Sequence, residues 1–357
     1  MAIASAFFAD PRRRNLATLL AIAFLSFVFA WFALGQQAAE MAPHTTPEPF
    51  FPGLAAHAQE ITRIHIVSRD GAFDVKLDPQ KGFVLPDRNN YPASFEQLRN
   101  TIVGLAALIT IEPKTSRADW LHFVGLDPPQ TGGSGIQISL YNDKGEKLAD
   151  IITGKAVDIG DPNGGAGLFV RRPTETQTWL VHSAFVPKAN EADWMDKSVL
   201  DIERARIQEV DVQPQTGPSY SVRRDRQDVS DFDIVNMPKG RELAYPGSPD
   251  GIASAIANFT FDDAKPADGF DFSNPTHVVT RTFDGLNVAT DVIKVGADYW
   301  LTISAEAAPG KPAAEKEARA IDARASGWAY KLPQFKGQLF MTTFESLLKP
   351  LQATPKK

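Results

Sequence analysis

The feature that most constrains this chain is an uncharged, largely apolar run near its N-terminus, residues 16–34 (LATLLAIAFLSFVFAWFAL), directly behind Arg12, Arg13 and Arg14. As a helix, 19 residues span about 28 Å, close to the roughly 30 Å hydrocarbon core of a bilayer. A run that is apolar all round, at the extreme end of a chain, has no polar face to show to water and is poorly suited to a globular core. The expectation is a transmembrane anchor in contact with lipid, with Leu16, Leu20, Phe24, Phe27, Trp31 and Leu34 as anchor residues. The three arginines then stay on the cytoplasmic side, and the chain after Gly35 is exported. The alternative is a cleaved leader ending near Gln36, Gln37, Ala38 and Ala39, although a leader's apolar core is shorter than this one.

Charge agrees with export. Residues 1–35 carry a net +2 out of the chain's −6, which leaves −8 for the rest. An acidic body is repelled by anionic headgroups and by nucleic acid, so nucleic acid is not an expected partner. The chain has no cysteine. That excludes disulfides, thiolate metal sites and a cysteine nucleophile. With 43% hydrophobic and 22% charged residues, the remainder has the composition of a folded protein.

The organisation read from the pattern is an anchor over residues 1–35 and a Pro-rich stalk over 36–58. Two α+β units follow, over 59–203 and 204–350. Each unit is an antiparallel sheet with helices on one face. One plan is stated twice. Ile61, Ile64 and Ile66 recur as Ile207, Val210 and Val212, 146 residues later. Alternating strands follow in both halves. A helical period is next: Phe95, Leu98, Ile102, Leu105 and Leu108 behind the N-cap Ser94, and Ile252, Ile256 and Phe259 in the second half. Hairpins turn at Asn142 to Gly145 and at Asp284-Gly285. Residues 313–325 read as a solvated helix, and Leu339 to Leu348 as a final packed one.

The residues Gly125, Leu126, Asp127, Pro128 and Pro129 precede the strand from Ile136. Ala118-Asp119-Trp120 lies before them, and residues 194–201 (WMDKSVLD) lie beyond. In this order, behind an N-terminal anchor and the Ile61 strand, they resemble the bacterial domain-of-unknown-function family numbered 4340. That resemblance implies a single-pass protein of the bacterial inner membrane with its N-terminus cytoplasmic and its body periplasmic. It also implies association with an ABC-type permease or auxiliary subunit, of the kind linked to gliding machinery. It carries no catalytic residues.

A search for chemistry supplies no site. The six histidines (His44, His57, His65, His122, His182 and His277) form no metal or catalytic spacing. Gly132-Gly133-Ser134-Gly135 precedes a strand, so it reads as a flexible loop and not a phosphate cradle. Asp158, Asp161 and Asn163 lack the closing acidic ligand of a calcium loop. Asp225, Asp228, Asp231 and Asp233 alternate with arginines as on a solvated hairpin. No catalytic, cofactor or metal residue is assigned, and no cofactor. The leading expectation is a non-enzymatic accessory or assembly subunit. The alternatives are a glycan- or lipid-fragment-binding protein, with Trp120, Trp179, Trp194 or Trp300 lining a cleft between the units, and an envelope hydrolase.

Overall fold

A computed structural model describes residues 47–160 and 165–350. The anchor residues Leu16 to Leu34 lie outside the described residues. No helix among the described residues is long and apolar enough to cross a membrane.

The fold is α+β, built on two large antiparallel sheets. In the first, β1 (Ile61–Ser68), β2 (Gly71–Asp78) and β3 (Gly82–Leu85) form a meander ending in the short β4 (Tyr91–Pro92). Helix α1 (Phe95–Ala106) then leads into β5 (Ile109–Pro113), which goes to the far edge. After the short helix α2 (Leu121–Val124), the chain returns to the middle and fills the gap with β6 (Ile136–Asn142), β7 (Lys147–Val157), β8 (Ala166–Arg171) and β9 (Thr178–Ser183). The order is β4-β3-β2-β1-β6-β7-β8-β9-β5.

The second sheet repeats the path. Its strands are β10 (Ile207–Gln213), β11 (Tyr220–Arg223), β12 (Asp233–Ile234), β13 (Asp263–Pro266), β14 (Thr276–Thr282), β15 (Leu286–Val295), β16 (Asp298–Ala307) and β17 (Trp328–Leu332). Their order, β12-β11-β10-β14-β15-β16-β17-β13, matches the first sheet strand for strand once β4 is set aside. Even an irregularity recurs. The β1/β6 register shifts between Ile61 and Arg63, and the β10/β14 register shifts between Ile207 and Glu209, the same places 146 residues apart.

Period-two burial makes the strands. In β1, Ile61, Ile64, Ile66 and Ser68 face inward, and Val210 and Val212 do so in β10. Helix α1 starts because Ser94 accepts a hydrogen bond from Gln97 N at 3.2 Å. It buries Leu98, Thr101 and Leu105. One contiguous core runs through both units, and two small clusters sit on the opposite sheet faces.

Several expectations are corrected. The region read as stalk is part of the body from Pro47 on. Phe50 N donates to Leu108 O and Thr110 N to Glu48 O, so residues 48–50 lie along β5, and Phe50 and Leu54 are buried. The second-half helix is only α3 (Asp250–Ala253). Beyond it, the carbonyls of Ala255, Ala257 and Asn258 turn to the buried Lys336 ammonium instead of to the next helical turn. The solvated helix α4 (Pro312–Ala325) buries Ala314, Ala318, Ile321 and Ala325, because small side chains let it approach β15 and β16 closely. The final helix is α5 (Gln334–Phe340) followed by a separate turn at Phe344–Leu347.

Candidate functional site

The motif residues come first. Helix α2 ends at Gly125, whose φ of 71° is left-handed. Gly125 N donates to His122 O, and Leu126 N donates to Leu121 O at 2.9 Å. Leu126 packs on Leu121 and Ile152. This is a Schellman ending with its hydrophobic contact. Asp127 O accepts from Gly135 N, and Pro128 O accepts from Thr131 N and Gly133 N. Pro129 is buried and opens a short turn. The buried Arg171 donates to Leu126 O at 3.0 Å and to the carbonyls of Arg172, Pro173 and Glu175. Burial pushes its guanidinium below the ordinary arginine range.

The glycines after the motif are not a flexible loop. A Cβ on Gly133 would lie 2.5 Å from the Asp127 Cβ, and one on Gly135 would lie 2.6 Å from Asp127 O. Gly154 of β7 is as tight, since its Cβ would meet Val124 O at 2.3 Å. These five motif residues therefore cap α2 and clamp it against the sheet. Their chemistry is structural.

The tryptophans do not converge. Trp194 is fully buried and donates to Lys188 O. Trp120 is exposed beside Phe123, at 6.4 Å between rings. Trp179 lies in β9, and Trp300 stacks on Phe270 at 4.5 Å. The junction between the sheets is filled instead. Tyr91 packs on Trp328 at 4.7 Å and on Phe261 at 6.2 Å, and Phe261 meets Tyr330 at 4.8 Å. Burial drives the Tyr91 and Tyr330 hydroxyls well above the ordinary phenol range.

Beside this dry junction lies a polar cleft of about 600 Å³. Asp87, Arg88, Asn89 and Glu191 line it from the first unit, and β13 through Phe270 from the second unit. Arg88 is its centre. Its Nε donates to Glu191 Oε2 at 2.8 Å, and its Nη1 donates to Asp263. All three side chains are less than a quarter exposed. Lys265 Nζ sits 5.3 Å over the Trp300 ring at the rim. Two carboxylates share one guanidinium, so the arrangement clamps the units together and keeps a net negative charge. The β13 edge beside the cleft is blunted against strand addition. Pro266 has no N–H, and Ala264 N donates to the Asp263 carboxylate at 2.9 Å.

Pattern reading missed Arg88, Glu191 and Asp263, because the partners of Arg88 stand 103 and 175 residues away. The other polar candidates stay apart. His57 pairs with Glu60, His65 with Asp74 and His277 with Asp291. His122 stacks on Phe123, and His182 stands in β9 opposite Ile109 and Gly167. Asp158 accepts from Gly160 N, while His44, Asp161 and Asn163 lie outside the described residues. Asp225 and Asp228 pair with Arg223 and Arg226 at the surface. Among the described residues no three His, Asp or Glu side chains gather as metal ligands.

The family profile described as Domain of unknown function (DUF4340) matches residues 84–280, more than half of the chain. The chain belongs to the DUF4340 family. The matched span of this DUF4340 protein runs from β3 to β14, so it includes the motif loop, all three members of the Arg88 clamp and Tyr91 and Phe261 of the junction, whose Trp328 and Tyr330 lie beyond it. No curated protein and no solved structure matches the chain.

Proposed function

We propose that this DUF4340 protein is a membrane-tethered envelope protein, formed by internal duplication of one α+β unit. It would sit in the bacterial inner membrane with its body in the periplasm. There it serves as a non-enzymatic accessory or assembly subunit of an ABC-type transport or gliding-like machinery. The observation that carries the reading is the 19-residue uncharged run behind three arginines, long enough to span a bilayer. The body supports it in kind. Two sheets that repeat one path are joined by a filled aromatic junction, which makes a rigid piece suited to hold a position beside a permease. The test is purification from membranes solubilised in mild detergent. Co-purification of ABC-type permease subunits is expected; their absence, or a cytosolic C-terminal reporter, overturns the reading.

A second reading is favoured by the cleft at Arg88. Its open volume and its mixed charges suit a polar ligand such as a glycan fragment. Protection of β13 from hydrogen exchange by periplasmic glycan fragments is the expected sign, and unchanged exchange across the panel removes it.

A further inference from the structure

Helix α1 has a second apolar face that nothing among the described residues covers. Phe95 and Val103 are 78% and 55% exposed, one turn before and one turn after Arg99. Beside them Val186 is 66% exposed, on a segment held tightly to the helix. A Cβ on Gly104 would fall 2.7 Å from the Phe185 Cβ, so only glycine permits this approach. The result is a groove of about 420 Å³ with an apolar floor of Val103, Gly104, Ala107 and Phe185, and with Arg99 and Lys188 at its rim. Arg99 is the one arginine among the described residues with neither a hydrogen bond nor an ion pair. The body's net charge of −8 repels anionic headgroups as a whole, and most of its arginines are matched to carboxylates, so two unmatched cations on one face are a local exception. Two bare cations beside an apolar floor are complementary to an anionic amphiphile.

The place of the groove says which amphiphile. Ala107 is followed by Leu108 and Ile109, and Ile109 bridges to Pro49 at the point where the chain enters the body. Only 14 residues, 35–48, separate Pro49 from the apolar run, a reach of at most about 50 Å. A body of about 300 residues is roughly 50 Å across. The tether is thus no longer than the body is wide even when fully extended, so the surfaces near its entry are the ones held closest to the bilayer.

We infer that the α1 groove docks on the bilayer surface, with Arg99 and Lys188 on anionic phospholipid headgroups and Phe95, Val103 and Val186 entering the interface. This rests on the membrane-tether reading above. The absence of cysteine makes the test direct. Full-length protein carrying Phe24→Cys, Val103→Cys, Val186→Cys or Val295→Cys is labelled with an environment-sensitive fluorophore. It is then reconstituted into phosphatidylcholine bilayers with or without phosphatidylglycerol, and nitroxide lipids serve as quenchers. Quenching is expected at positions 24, 103 and 186 and little at 295, with positions 103 and 186 depending on phosphatidylglycerol. Arg99→Gln with Lys188→Gln lowers the docked-to-undocked ratio about thirtyfold, from about fivefold per cation. Quenching at 24 with 103 and 186 no stronger than 295 overturns the docking alone. No quenching at 24 overturns the tether and the docking together. Equal quenching of 103 in neutral bilayers overturns the role of the two cations. Energy transfer between labels at 103 in place of lipid quenching gives the face to a second copy and overturns the assignment.

Discussion

Lys336 shows how much one side chain decides here. It is 7% exposed, and its ammonium donates to the carbonyls of Ala255, Ala257 and Asn258. Replacing it with Met leaves those carbonyls without a donor and is expected to cost about 3 kcal/mol, read as a lower urea midpoint. Burial also pushes its ammonium below the ordinary lysine range. The unfolded chain then holds this proton more tightly than the folded one. Stability is expected to rise as pH climbs through the folded pKa and to level off near the ordinary lysine value of about 10.5. Comparison of unfolding curves across alkaline pH should show this rise in the natural protein and its loss in Lys336→Met. None of this was legible in the sequence. Lys336 sits in an ordinary amphipathic stretch, and its partners lie about 80 residues earlier.

At the scale of elements, legibility was uneven for identifiable reasons. The strands β1, β2, β6, β10, β14 and β15 and helix α1 announce themselves because each has one wet and one dry face. The second-half helix did not follow its period, because tertiary carbonyl contacts replaced helical ones. The motif loop was legible as a pattern and not as a purpose. Gly125 ends a helix, but only the approach of Val124 O to Gly154 shows what the loop is clamped against. Gly154→Ala is expected to destabilise by about 2–3 kcal/mol and to loosen α2, seen as a lower melting temperature with faster hydrogen exchange at Leu126. Arg88→Met should leave Glu191 and Asp263 half-buried without a counter-charge. It is expected to cost about 2 kcal/mol after allowance for solvent screening. Hydrogen exchange should locate that loss at β13 and the short turn at Glu191–Trp194.

For the whole molecule, the repeated strand order and the repeated register shift describe two units that are one plan. The filled junction makes them one body. Tyr91 is 1% exposed against Trp328 and Phe261, and its hydroxyl donates to Asp196 O at 2.9 Å. Tyr91→Ala is expected to remove about 3–5 kcal/mol, most of it from the contact between units. Calorimetry should then resolve two transitions where the natural protein shows one. A single transition at a lower temperature would mean that the junction does not set cooperativity.

What the sequence determined by itself is what local spacing can encode: the apolar run, the acidic cysteine-free body, the α+β class, the 146-residue echo of the opening strand and the likeness to the DUF4340 family. What only the tertiary structure decided is which distant segments meet. The Arg88 clamp, the Lys336 carbonyl cage, the docking of residues 48–50 on β5 and the bare face of α1 all depend on pairings across tens to hundreds of residues. Periodicity tells each residue whether it faces water or core. It does not say which partner waits on the other side, because that choice is made by packing many elements at once.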